Sequence, residues 1–469
     1  MEKSEADKLK EKLCLDRSTG WKKVNDDEMK QIFQFADDYM YYLNKGKTEK
    51  EIVDNSKDIL IKNGFKEVSE YSQLKPGDKV YYVNRERNVF AAVIGENPLE
   101  CGLKIVGAHA DSPRIDLKQN PLYENADLAL FKTHYYGGIK KYQWATIPLA
   151  MHALFVKEDG EKIKVNWGED ESESTFMISD LLPHLAKRQQ GKTLAEGIAG
   201  EDLNILVGSI PFKDEKATEG IKLNILKLLN EKYGITEIDF TSSEIEFVPA
   251  FKARSLGFDG SMVAAYGQDD KVCCYTALRG IINVEKPKNT AICVLTDREE
   301  VGFMGNTGME SKAFENFVIK LLDKTGQNSI NQLEKVFEKS EVISADVTAA
   351  FDPNFADVFE PNNDAFLGRG VAFSKYVGAR GKAGASEASA EFVAKTRKIF
   401  KDAGAKYQAA ELGKVDEGGG GTIALTFANR GMDVIDCGVP VMAMHSPYEI
   451  TSKFDIYQAY KGYEAFYKS

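Results

Sequence analysis

Ala291-Ile292-Cys293-Val294-Leu295-Thr296-Asp297-Arg298-Glu299-Glu300-Val301-Gly302 sets an apolar run directly before two adjacent carboxylates. A short, uninterrupted apolar run of this kind reads as a buried strand, so Glu299 and Glu300 stand at a strand end, where open α/β sheets place their chemistry. Neighbouring carboxylates in a half-buried place repel and lose hydration, a cost that a cation or a shared proton must offset. A metal ion is the first expectation. Taken alone the pair is ordinary, because the chain has 72 acidic residues and most such pairs are solvated surface.

The company of the pair changes its meaning. Of the five histidines, two sit in similar contexts. His109 ends the run Lys104-Ile105-Val106-Gly107-Ala108, and Asp111 follows two residues later. In extended backbone, residues two apart share a face, so Asp111 can accept the second imidazole N–H and fix the tautomer for metal binding. His445 follows Val439-Pro440-Val441-Met442-Ala443-Met444 and precedes Ser446-Pro447, which breaks the run. Asp269-Asp270 follows Ala265-Tyr266-Gly267-Gln268, and Asp346 follows Val342-Ile343-Ser344-Ala345. A lone His-x-Asp is more often a packing or hydrogen-bonding pair than a metal ligand. Several acid and imidazole groups, all at strand ends, are hard to explain as packing.

The ordered set Gly-Ala-His-Ala-Asp-Ser-Pro (107–113), Gly-Gln-Asp-Asp-Lys (267–271), Asp-Arg-Glu-Glu-Val-Gly (297–302), Ser-Ala-Asp (344–346) and Met-Ala-Met-His-Ser (442–446) resembles the M18 aminopeptidases, the aspartyl aminopeptidase family of di-zinc exopeptidases. The resemblance spans about residues 80–469. It implies that His109 binds one metal and His445 the other, with Asp269 bridging both. Glu300 and Asp346 complete the two ligand shells, Asp111 belongs to the catalytic set, and Glu299 is the general base. The implied chemistry is coherent: two zinc ions ~3.5–4 Å apart lower the pKa of a shared water, and a carboxylate that is not a ligand moves its proton. Nitrogen and oxygen donors also suit manganese or cobalt.

Composition agrees with an enzyme. A chain of 469 residues is too long for one ordinary core and suggests two domains. No apolar stretch approaches the roughly 18 residues of a membrane span, and the charged start Met1-Glu2-Lys3-Ser4-Glu5 lacks a secretory core, so a cytoplasmic protein is expected, with no membrane partner. The six cysteines form no Cys-x-x-Cys and read as reduced, buried thiols. A formal charge of −11 disfavours nucleic acid.

Met29, Ile32, Phe33, Ala36, Met40 and Leu43 recur at helical spacing, and a second helix begins at the capping box Thr48-Glu49-Lys50-Glu51 and stops at Gly64. Val80–Val83 and Val89–Ile94 form a hairpin leading to the His109 strand. From about 116 to 246 the metal-type motifs vanish and short strands with polar loops take over. After Phe251 strand–helix alternation resumes, as in Gly370–Phe373 followed by a helix marked by Phe392, Val393, Thr396, Ile399, Phe400 and Ala403. The expected fold is α/β: a three-layer zinc-peptidase-like catalytic domain in two parts, 1–115 and 247–469, interrupted by a β-rich insert, 116–246. The resemblance makes that insert a dimerisation domain within a homo-dodecamer. It also implies that His184, in Leu181-Leu182-Pro183-His184-Leu185, reaches a neighbouring subunit's site as an oxyanion-type donor. The plain alternative for His184 is a surface histidine at a helix start.

Asp416-Glu417-Gly418-Gly419-Gly420-Gly421-Thr422-Ile423 lacks the Gly-x-x-x-x-Gly-Lys of a phosphate loop. It reads as a turn beside the substrate, and the family has Gly-Thr-Ile at this place, so Gly421 and Thr422 are candidate substrate contacts. Lys375 aligns with a family lysine near the substrate pocket; a solvated surface lysine is the alternative. No Gly-x-Ser-x-Gly supports a serine nucleophile. Two departures bear on specificity. Asp346-Val347-Thr348-Ala349-Ala350-Phe351-Asp352-Pro353-Asn354 lacks the histidines of animal relatives, and Gln143-Trp144-Ala145-Thr146-Ile147-Pro148 replaces a charged stretch. Recognition of an acidic side chain needs fixed donors, so the expectation is removal of N-terminal residues from peptides, with preference for Asp or Glu left open. A related binuclear deacylase or carboxypeptidase, and a non-catalytic assembly or cargo protein of the same fold, are the rival readings.

Overall fold

The structure, a computed structural model, describes residues 3–327 and 330–469. Its centre is a nine-stranded sheet in the order Lys66–Glu67, Lys79–Asn84, Asn88–Val93, Ala291–Thr296, Lys104–His109, Glu341–Ser344, Asp433–Gly438, Val371–Ser374, Tyr407–Ala409. The four middle strands, from Ala291–Thr296 to Asp433–Gly438, are mutually parallel, and antiparallel pairings begin at both flanks.

Helices on both faces explain why these strands read as unbroken apolar runs. Val106, Ala108, Cys293, Leu295 and Ile343 face a layer containing helices Asp26–Lys45, Gln268–Ile282 and Lys453–Lys468. Ile105, Ile292, Val294, Val342 and Val434 face the opposite layer, with helices Ala313–Lys324 and Ala424–Ala428. Successive residues of one strand thus enter different cores, and the result is the three-layer α/β/α arrangement. Local expectations also appear: Thr48 and Glu51 form the capping box of helix Glu49–Lys62, and the hairpin joins strands Lys79–Asn84 and Asn88–Val93.

A second sheet of seven strands runs between Arg114 and Pro249, with antiparallel pairings throughout. It has its own core, in which Phe131, Trp144, Phe155, Phe240 and Phe247 are buried. A third, five-stranded sheet includes Met262–Ala265, Pro440–Met442 and Glu449–Ser452. Among the described residues, no helix is long and apolar enough to cross a membrane.

Candidate metal centre

Side chains converge where the central parallel strands end and the third sheet turns. Strand Lys104–His109 delivers His109 and, just beyond, Asp111. Strand Ala291–Thr296 leads into a short 3-10 turn, Glu299–Val301, entered through Arg298 in the left-handed region (φ 66°). Asp346 lies two residues past strand Glu341–Ser344. Two groups depart from the expected strand ends. Asp269 belongs to the irregular first turn of helix Gln268–Ile282, entered through Gly267 (φ 70°). His445 occupies a left-handed turn (φ 65°) between strands Pro440–Met442 and Glu449–Ser452. In both cases the chain reverses sharply, and the turn rather than a strand aims the side chain.

The distances define two groups that share one residue. His109 Nε2 lies 3.2 Å from Asp269 Oδ1 and 3.9 Å from both Asp346 Oδ1 and Glu299 Oε2. His445 Nε2 lies 3.1 Å from Asp269 Oδ2 and 3.4 Å from Glu300 Oε2. In His109–Asp269–Asp346 and in Asp269–Glu300–His445, the possible ligand atoms are all within 4.8 Å of one another. Asp269 turns one oxygen to each histidine.

The opposite ring nitrogens are held by backbone carbonyls: His109 Nδ1 is 3.0 Å from the Asp111 carbonyl, and His445 Nδ1 is 2.8 Å from that of Gly138. Donation to a carbonyl through Nδ1 leaves each Nε2 as the free donor pair facing inward, as metal-ligating imidazoles require. The Asp111 carboxylate accepts the backbone N–H of Glu299 and of Glu300, each at 3.2 Å, and the Tyr136 hydroxyl at 2.8 Å. It therefore fixes the acidic turn as well as the His109 ring.

Three residues to which the sequence assigned no ligand or catalytic role support the centre. Glu449 accepts the His445 N–H at 2.8 Å and the Asp269 N–H at 3.1 Å, tying the two halves together. Asp270 accepts the His109 N–H at 3.2 Å. Tyr136 comes from the second sheet. Asp270 was visible as the partner of Asp269, but nothing local marks Glu449 or Tyr136, whose roles arise only from contacts across sheets.

Charge is crowded here. Burial, reinforced by Asp269 and Asp111 against the pull of His109, pushes the Glu299 carboxyl up to about 7. Burial likewise raises Glu300 and Asp346 well above the carboxylate range, and Glu449 to about 8. Although burial opposes it, hydrogen bonding to Asp269 pushes His445 up to about 10. Without a cation, the cluster has to bind protons to balance its carboxylates. The donor set is two imidazole nitrogens and carboxylate oxygens, and Glu300 Oε1 and Asp346 Oδ2 are buried without a hydrogen-bond partner. Such a set fits zinc, whose protein ligands include His nitrogen and carboxylate oxygen.

The remaining candidates lie elsewhere or face otherwise. His184 is exposed in the short turn Pro183–Leu185 of the second sheet's surface. Lys375 pairs with Glu387 at 3.4 Å and lines a cavity of about 390 Å³ with Asp364, Phe366 and Arg397, in which none of the six ligand and base candidates takes part. The Thr422 hydroxyl donates to buried Asp436 at 2.7 Å, so it secures the turn. A Cβ at Gly421 would stand 3.4 Å from the Gly384 carbonyl and 3.9 Å from the Phe303 ring, and it meets none of the six ligand and base candidates within 4 Å.

Comparison with known proteins shows the family and the fold. The family model described as aminopeptidase I zinc metalloprotease (M18) matches residues 42–467. A probable M18 family aminopeptidase 1 of Clostridium acetobutylicum is 49% identical over 458 residues, covering 97% of this chain and 98% of the relative. The crystal structure of an M18 family aminopeptidase from Thermotoga maritima is 44% identical, with a TM-score of 0.93 over 97% of this chain and 99% of that one. A dodecamer structure of mApe1 from S. cerevisiae is 20% identical with a TM-score of 0.74, covering 92% and 96%, which shows a shared fold.

Proposed function

The chain belongs to the M18 family of aminopeptidases, zinc metalloproteases acting on peptides, and from that premise we propose that it removes N-terminal residues with two metal ions and Glu299 as general base. What carries the reading is Asp269, whose oxygens lie 3.2 Å from His109 Nε2 and 3.1 Å from His445 Nε2, the placement needed of a bridging carboxylate. His109 and Asp346 would hold one ion, His445 and Glu300 the other, with Asp269 common to both. Bound there, the pair supplies a water of lowered pKa and a Lewis acid for the scissile carbonyl.

The protein's own part is positioning and proton movement. Glu299 is in neither ligand group, yet its Oε2 stands 3.9 Å from His109 Nε2, within reach of anything His109 holds. A carboxylate at that distance and outside the ligand groups can take the proton of the attacking water and return it to the leaving amine. Asp111, by accepting both backbone N–H groups, keeps Glu299 and Glu300 in their separate places.

In this proposal the insert 116–246 serves dimerisation within a homo-dodecamer, the assembly size named for the mApe1 structure, and His184 acts across the subunit boundary as an oxyanion-type donor. A monomeric variant with full activity would sink that role for His184. We expect a cytoplasmic protein, and removal of an N-terminal Asp or Glu is the hypothesis that the resemblance implies for its preference. A panel of dipeptides and Asp-, Glu-, Leu- and Met-p-nitroanilides on metal-replete protein tests both activity and preference. Glu299→Ala is the control: wild-type rates in that variant, with metal still bound, overturn the mechanism. Fast turnover of Leu and Met with none of Asp removes the acid preference alone.

A further inference from the structure

Three consecutive residues at the end of a second-sheet strand touch both halves of the metal centre. Tyr136 ends strand Leu128–Tyr136, and its hydroxyl donates to Asp111 Oδ2 at 2.8 Å. Gly137 takes φ 76°, and a Cβ there would stand 3.3 Å from Glu300 Oε2 and 3.4 Å from Glu300 Cβ. Gly138 accepts from His445 Nδ1 at 2.8 Å, and a Cβ on it would lie 3.4 Å from that same nitrogen. The segment therefore supports Asp111, abuts Glu300 and orients His445.

The tyrosine is itself held. The Arg114 guanidinium lies over its ring, 3.9 Å from the centroid, and Arg114 Nε donates to Asp116 at 2.8 Å. The Arg114 side chain also pairs with Glu246 of the second sheet and with Glu49 of the catalytic layer, at 3.4 Å each. The hydroxyl is thus aimed by a charged, buried group at the junction of the two sheets.

We infer that Tyr136-Gly137-Gly138 is a positioning clamp through which the second sheet forms one wall of the metal centre, so that divalent-ion affinity depends on how that sheet seats against the catalytic layer. The inference rests on the ligand assignment proposed above. Asp111 Oδ1 receives the Glu299 N–H and lies 3.3 Å from His109 Nδ1, while Oδ2 is shared by the Glu300 N–H and the Tyr136 hydroxyl. Removing the hydroxyl frees the carboxylate to rotate, and His109 and both glutamates lose their common anchor. At Gly137 a methyl group meets Glu300 in a backbone region that disfavours any side chain. At Gly138 the carbonyl fixes the ring orientation of His445 as an outer-shell acceptor does, an interaction whose loss typically weakens metal binding 10- to 100-fold.

The test is metal uptake by full-length, metal-stripped protein, titrated with zinc against a colorimetric chelator and with cobalt by visible absorption. Tyr136→Phe, which keeps the ring and its packing, is expected to weaken both ions roughly 10- to 100-fold and to lower kcat with KM unchanged. Gly137→Ala is expected to weaken one ion only, that of Glu300 and His445, leaving a single tight equivalent. Wild-type uptake of two ions together with wild-type affinities in both variants overturns the clamp alone. Wild-type uptake of fewer than two overturns the two-ion reading and the clamp with it. If Gly137→Ala does not fold, Tyr136→Phe decides by the same readings.

Discussion

Glu299 and Glu300 are neighbours whose backbone N–H groups hang from one carboxylate, yet their side chains go to different places. Glu300 Oε2 faces His445 Nε2 at 3.4 Å and belongs to a ligand group, while Glu299 belongs to none and faces His109 at 3.9 Å. Substituting each by glutamine keeps shape and removes charge, so the pair can be separated experimentally. Glu299→Gln should keep both metal equivalents and lose roughly 10²- to 10⁴-fold in kcat, the range for a lost proton-transfer group. Glu300→Gln should lose activity because one metal equivalent is weakened, and added zinc should restore part of it. Metal analysis beside initial rates checks both; equal metal content in the two variants would show that the adjacent carboxylates do not divide the work as proposed.

At the scale of elements, the site depends on strand Lys104–His109 lying close under helix Ala424–Ala428. Gly107 permits this approach: a Cβ there would stand 3.0 Å from the Phe427 ring and 3.2 Å from Ile423 Cδ1. Gly107→Val should force these side chains aside and cost about 1–3 kcal/mol, as overpacking does, with a matching fall in unfolding midpoint and a displaced His109. An unchanged midpoint would mean that the layer yields more easily than its packing implies. The strands and their acidic or imidazole ends were legible because burial on both faces makes them continuous apolar runs, and the first chemistry-bearing residue after each run stands out. Asp269 and His445 were found as residues but not as geometry, since a helix turn and a left-handed turn carry no periodic signal. Glu449 and Tyr136 had no local mark at all: one ties a turn to a helix start, the other crosses from a different sheet. The resemblance supplied Lys375 and Thr422, whose contacts with Glu387 and Asp436 follow from long-range packing that spacing cannot express.

At the scale of the whole molecule, a second ionic junction joins the second sheet to helix Glu49–Lys62, whose Glu49 also pairs with Arg114. His152 of the second sheet donates to Glu51 of helix Glu49–Lys62 at 2.7 Å through Nδ1 and meets Glu169 at 3.0 Å through Nε2. Lys47 and Lys252 also hold Glu169, at 2.6 and 2.7 Å, and Asn166 donates to Glu51 at 2.7 Å. Burial opposes charging His152, but the hydrogen bonds to Glu169 and Glu51 win and push it up to about 9, while against burial His152 draws both carboxyls down to about 2. The sign follows. A raised imidazole contributes fully below its unfolded value of about 6.5 and loses that contribution as pH climbs through 9, whereas the lowered carboxyls contribute above about 4.5 and lose it as pH falls toward 2. The junction is therefore tightest between roughly pH 4.5 and 6.5, and its alkaline loss is on the order of 2–3 kcal/mol, counted once because the three groups share the same contacts. Thermal unfolding of wild type and His152→Gln at about pH 6 and about pH 9.5 measures this, with the difference between the proteins shrinking on the alkaline side. Parallel pH dependence in the two would mean that His152 is neutral in the folded protein and that the junction is held by the lysine pairs alone.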